Sequence, residues 1–166
     1  MLQMMPNSRV IFSLVFLGCL GLLGVALYME HMMSLDPCPL CIFQRVMVLA
    51  TGIVALLAAI HGPKELGIKI YGGLMILTAV TGAAISIRQL WLQSLPADQV
   101  PACGASLDYL MDVFPLTEVV NMVLTGDGSC AEVAWRFLGL SIPGWTLIGF
   151  IALVCIGAFQ ITRPKN

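Results

Sequence analysis

Long apolar runs alternate with short polar breaks along this chain, and four of the runs stand apart from the rest. They extend from Val10 to Met29, Ile42 to Ile60, Ile68 to Ile87 and Trp145 to Ile161. Each approaches the roughly 20 residues that a helix needs to cross about 30 Å of hydrocarbon. The first follows Arg9 as a secretion signal would. It is too long for a signal core, however, and no small-x-small cleavage site precedes Glu30 and His31, so a retained helix is expected. Gly18, Gly21 and Gly24 within it suggest close packing against a neighbouring helix. Residues 30–41 form a short first connection. His61-Gly62-Pro63-Lys64-Glu65 is a tight second turn, with His61 read as simply solvated.

The third connection, residues 88–144, is too long to be a passive link. After Pro115, the residues Leu116, Val119, Val120, Val123 and Leu124 recur at helical spacing, opposite Thr117, Glu118 and Asn121. This pattern predicts a short amphipathic helix lying on the membrane surface. The expected architecture is a single-domain, all-α membrane protein: a bundle of four transmembrane helices with a long loop carrying one short helix.

Composition agrees. The 166 residues are 59% hydrophobic and only 10% charged, against roughly a quarter charged in soluble domains. A net charge of -1, with no basic patch, gives no reason to expect nucleic acid as a partner. The placement of cations is more telling. Arg9, Lys64, Lys69, Arg163 and Lys165 mark both termini and the second connection as cytoplasmic. The other two connections face the opposite side. In the long one, Arg88 and Arg136 stand against six carboxylates, and Arg88 and Trp91 read as interface anchors.

Four of the six cysteines lie on that opposite side or at its border: Cys38, Cys41, Cys103 and Cys130. Cys19 and Cys155 fall inside apolar spans, where each is read as an ordinary small buried hydrophobe, and neither is assigned a role. Pro39 suits a first helical turn, so the second helix is expected to begin at Cys38 or Pro39. Cys38, Cys41 and Arg45 then lie within about 60° around its axis. The positive helix end and the guanidinium both favour thiolate, the reactive form of cysteine. A cation one turn inside a membrane helix is costly unless partnered or hydrated, so Arg45 is read as serving the two cysteines on its face, with snorkelling to the nearby interface as the alternative. Gln89 and Gln93, one turn apart, present amides near the same rim or face water.

Four cysteines permit three pairings, and Cys38 with Cys41 and Cys103 with Cys130 is the one favoured here. The glycines beside Cys103 and Cys130 suggest mobile attachment. The loop pair remains open to a second reading as a structural staple. A zinc site is disfavoured, since a second closely spaced pair is missing, and no metal is expected. Two dithiols at one membrane face suggest an exchange chain, in which thiolates pass electrons inward through mixed disulfides. Without haem, flavin or iron–sulfur motifs, an apolar carrier such as a quinone is the natural acceptor. Arg45 is placed to stabilise its reduced oxygen.

These residues resemble the disulfide bond formation protein B (DsbB) family. The likeness rests on Cys38-Pro39-Leu40-Cys41-Ile42-Phe43-Gln44-Arg45, on the Cys103 and Cys130 pair, and on Cys130-Ala131-Glu132 through Trp135, Phe137-Leu138-Gly139-Leu140, Pro143 and Trp145. The resemblance implies a bacterial inner-membrane thiol:quinone oxidoreductase using ubiquinone or menaquinone. It would reoxidise a soluble periplasmic DsbA-like dithiol oxidase. It implies that the partner attacks Cys103, that Cys130 attacks Cys38, and that Cys41 engages quinone with Arg45 in contact. Gln89 departs from the family, many of whose members carry His there, while Gln93 matches better as a quinone contact. Proteins similar to vitamin K epoxide reductase place the loop cysteines before the C-x-x-C pair, opposite to the order here. A non-enzymatic scaffold with structural disulfides is the rival from a different class.

Overall fold

Each apolar run becomes a helix that extends past its ends. The computed structural model describes residues 7–35, 37–96, 98–101, 107–126 and 128–163. In chain order its elements are α1 (Ser8–Met33), α2 (Pro39–His61), α3 (Glu65–Gln93), α4 (Leu107–Val113), α5 (Leu116–Thr125), α6 (Gly128–Ala131), β1 (Arg136–Phe137), β2 (Leu140–Ser141) and α7 (Ile142–Thr162). α1, α2, α3 and α7 are long and apolar enough to cross a membrane. α3 continues to Gln93, so Arg88, Gln89 and Gln93 stand on a rigid helix rather than in the third connection. The polar ends remain helical because turn signals, not loss of hydrophobicity, stop the helices. Gly62, for example, caps α2 in the left-handed conformation.

The bundle is built from neighbour pairs, α1 against α2, α2 against α3, and most extensively α3 against α7. Phe12, Val48, Ala55, Met75, Ala79 and Phe150 form its main core. Inside it the Thr51 and Thr78 hydroxyls lie 2.8 Å apart, joining α2 to α3. Arg9 donates to the carbonyls of Ala59 and Ile60 at 3.0 and 2.9 Å, tying the start of α1 to the negative end of α2.

Close helix approach occurs where the sequence did not point to it. Among the described residues, nothing beyond α1's own adjacent backbone lies within 4 Å of a Cβ built at Gly18, Gly21 or Gly24, and these glycines are exposed on α1. Gly18 instead borders an apolar groove of about 380 Å³ between α1 and α7, shared with Leu14, Leu22, Gly149 and Ala152. The tight contact belongs to α3 and α7. A Cβ at Gly72 or at Gly157 would stand 3.1 Å from the other's carbonyl oxygen, and one at Gly82 would stand 2.2 Å from the Phe150 ring. Spacing alone does not reveal which glycine stripe meets a partner. Two other expectations also change. His61 is not merely solvated, because its Nδ1 lies 3.0 Å from the Tyr71 hydroxyl. Cys19 is buried, but Cys155 is exposed on the outer face of α7.

Among its described residues the third connection contains three short helices and a hairpin, where one helix was expected. α5 does form, but Val119 and Val123 turn inward to join Leu40, Ile85, Leu92 and Cys130 in a second core at the cysteine end of the bundle. Leu116 and Leu124 remain exposed. Arg88 stacks over the Trp91 ring at 4.3 Å and donates to the Leu124 and Thr125 carbonyls at 3.3 and 2.8 Å. Its positive charge thus closes the negative end of α5 and clips that helix onto α3.

Replacing Gly82 with Val should destabilise the protein by about 1 to 3 kcal/mol through overpacking against Phe150. Gly73→Ala, on the same helix with open space around it, should be neutral or slightly stabilising. Thermal melts of both variants in detergent micelles read the difference; equal melting temperatures would contradict the α3–α7 contact.

Candidate functional site

The second core places the sulfurs. Cys38 occupies the N-cap of α2 in extended conformation and Pro39 follows at the first helical position, as the sequence suggests. The Cys38 carbonyl accepts from the Ile42 N–H at 3.1 Å, so the first turn carries Cys41 round to the same side. Their sulfurs are 3.1 Å apart and both cysteines are free, so a disulfide between them requires only about 1 Å of closure.

Cys130 reaches the pair from the other end of the loop. Its side chain is fully buried in the second core, against which Cys38 also packs, and the two thiols are close enough to perturb one another. Gly126 sets this approach: its φ of +77° suits glycine, and a Cβ there would stand 2.3 Å from a Leu92 methyl. The attachment of Cys130 is therefore packed, contrary to the mobility that its glycines suggest. Cys103 lies outside the described residues.

Two buried amides orient the cluster. Gln44 donates to Gln89 Oε1 at 2.7 Å, which directs Gln89 Nε2 toward the sulfurs of Cys38 and Cys41, each 3.2 Å away. Both glutamines are under 4% exposed, so no water competes for these groups. Both sulfurs accept from Gln89; Cys41 Sγ also accepts from the Cys38 thiol, and Cys38 sits between two other thiols. The contact with Cys130, then that with Cys41, then burial push the Cys38 thiol's pKa well above the ordinary range. The helix end does not favour thiolate equally at both positions, because neighbouring sulfurs cannot all ionise together.

Arg45 departs from the expected picture. It occupies the anticipated helical position, yet its guanidinium crosses to α1, where it forms an ion pair with Glu30 and donates to the Ala26 carbonyl at 3.3 Å. Both ion-pair side chains are about a quarter exposed. Gln93 is also occupied within the chain: its Oε1 accepts from the Ser141 hydroxyl at 2.8 Å and its Nε2 donates to the Glu132 carbonyl at 3.5 Å. It braces the segment that follows Cys130. Gln44 and Glu30 were not singled out from sequence. Glu30 had a legible signal, since a membrane-facing arginine calls for a counter-charge one helix away. Gln44 had none, because a lone glutamine between aromatic and basic residues reads as surface.

Three sulfurs in one cluster, that of Cys130 fully buried and the other two partly so, at the end of a bundle that can span a membrane, define a membrane protein of thiol–disulfide chemistry. Comparison with known proteins makes this specific. The family model of disulfide bond formation protein DsbB matches residues 8–160. The chain is 58% identical over 157 residues to disulfide bond formation protein B of Marinobacter nauticus, covering 95% of this chain and 94% of that one. It is 52% identical over 160 residues to its counterpart in Hahella chejuensis, with 96% and 97% covered. It is 43% identical over 159 residues to disulfide bond formation protein B 1 of Pseudomonas aeruginosa, with 96% and 98% covered. This chain belongs to the DsbB family, whose members are membrane proteins of bacterial disulfide formation.

Cys130→Ala should lower the Cys38 pKa toward its ordinary value, because the largest cause of the rise is removed. More thiolate is then present at a given pH, so alkylation of Cys38 at neutral pH, followed by mass spectrometry, should accelerate severalfold. An unchanged rate would show that Cys130 does not govern this thiol.

Proposed function

We propose that the chain is a thiol:quinone oxidoreductase of the bacterial inner membrane, with its termini cytoplasmic and its cysteines on the periplasmic side. It reoxidises a soluble DsbA-like dithiol protein. The observation that carries this reading is the position of Cys38, in contact with Cys41 on one side and Cys130 on the other. Exchange proceeds by thiolate attack on a neighbouring sulfur, so a sulfur touching two others is the natural junction of two dithiol pairs.

Starting from Cys38–Cys41 and Cys103–Cys130 disulfides, a partner thiolate attacks Cys103 and releases Cys130 as thiolate. The partner's second thiol then attacks the sulfur joined to Cys103, which frees Cys103 and leaves the partner oxidised. Cys130 attacks Cys38, breaks the Cys38–Cys41 bond and releases Cys41 as thiolate. Cys103 closes on Cys130, and the electron pair now resides on Cys38 and Cys41. Protons lost by the partner's two thiols balance the two taken up at the acceptor.

A quinone, when bound, supplies the two-electron oxidation that restores the Cys38–Cys41 bond. The donor set fits such a group: Cys41 holds the electrons, Gln89 Nε2 lies beside it, and Arg45 one turn further on can meet a reduced oxygen. Gln44 keeps the Gln89 amide facing the sulfurs. Glu30 holds Arg45 on the α1 side of the site. Gln93 contributes from behind, fixing the segment that bears Cys130.

Cys41→Ser should abolish quinone reduction by a reduced dithiol partner, read as the change in quinone absorbance. Turnover persisting in this variant would remove Cys41 from the electron route. A partner retaining only its attacking cysteine should be captured on Cys103 of the oxidised chain, with Cys130 joined to Cys38. Peptide mapping on non-reducing samples reads both bonds, and capture at another cysteine would reverse the order of exchange. A scaffold whose disulfides are purely structural would show neither behaviour.

A further inference from the structure

The hairpin between Cys130 and α7 takes no part in the exchange steps, yet it is not composed like a solvent loop. β1 and β2 pair with Arg136 opposite Ser141 and Phe137 opposite Leu140. The two turn residues, Leu138 and Gly139, both have positive φ, 51° and 82°. That geometry favours Asn-Gly, and a leucine in its first position is disfavoured. Leu138 is 78% exposed, so no packing within the chain compensates. Phe137 is exposed beside it.

The hairpin also folds back along the first turn of α7. Trp145 Nε1 donates to the Phe137 carbonyl at 3.1 Å, and the Phe137 ring lies 5.7 Å from that of Trp135 and 6.1 Å from that of Trp145. Leu140 covers Gly144, with a methyl 3.4 Å from where a Cβ would stand. The exposed apolar surface of the hairpin therefore continues onto Trp145, Ile148 and Ile151, an exposed stripe on α7.

We propose that this hairpin is a lipid anchor. Its tip, Phe137 and Leu138, sits among acyl chains of the leaflet on the cysteine side, and exposed Arg136 reaches the headgroup phosphates. Continuity with the outward face of a membrane-crossing helix identifies lipid as the occupant, and clustered aromatics beside a cation are the composition of an interfacial anchor. With Gln93 gripping Glu132 and Ser141, the anchor holds the segment after Cys130 at the depth of Cys38. The inference requires only that α7 crosses the bilayer and is independent of the electron route.

The test uses the full chain in lipid nanodiscs with a fluorescent amino acid at position 138 or, as control, at exposed Asp98. Brominated lipids should quench the probe at 138 roughly threefold more than at 98, with the order reversed for aqueous iodide. Equal quenching at the two sites overturns the proposal. Shielding from iodide only after the soluble dithiol protein is added would assign the tip to protein docking instead, and also overturns it. Leu138→Asn suits the turn, so the hairpin persists without its apolar tip; tryptophan quenching by the same lipids should fall while helix content is kept. Unchanged quenching in that variant counts against the anchor.

Discussion

A single buried amide, Gln89, sets the geometry on which the chemistry depends. Held by Gln44 at 2.7 Å, it directs its N–H groups at two sulfurs that are themselves 3.1 Å apart. Neither glutamine has water to fall back on, so an unpaired amide here would carry the full penalty of a buried polar group. The hydrogen bonds therefore fix α2 against α3 at the level of the cysteines. α2 presents both sulfurs, and a side chain of α3 aligns them.

The remaining structure brings a third sulfur to that pair. The inward stripe of α5, the fit of Gly126 against Leu92 and the Arg88 clip on the end of α5 all serve the second core, in which Cys130 is buried beside Cys38. Stability and reactivity are coupled here. The apolar contacts that hold the loop down also desolvate the thiols, and the crowding of sulfur around Cys38 disfavours its ionisation. A junction sulfur held as thiol is a poor nucleophile but, once oxidised, a ready target for the neighbour pressed against it.

Much of this was legible in the sequence. Four spans were readable from run length, the α2 start from Cys38-Pro39, and α5 from its apolar spacing, because each signal is local. The gathering of Cys38, Cys41 and Cys130 at one end of the bundle accords with the reading of sulfur pairs at a membrane rim. What escaped depends on pairing between distant segments. The glycines that pack are those of α3 and α7 rather than the more regular series of α1, since a small residue matters only where another backbone arrives. Arg45 was expected beside the sulfurs by helical angle, but its long side chain follows the carboxylate of Glu30 instead. Gln93, read from sequence as a ligand contact, is hydrogen-bonded within the chain, because Ser141 and Glu132 are brought to it by a hairpin that residue spacing did not reveal.

The contact between Cys38 and Cys130 is the claim from which the exchange order follows, and it can be tested without partner or quinone. In the full chain carrying Cys41→Ser and Cys103→Ser, mild oxidation in membranes should form the intramolecular Cys38–Cys130 disulfide rapidly and nearly completely, as mapped by mass spectrometry. Thiols that stay free under those conditions, or that join only between molecules, would contradict the account.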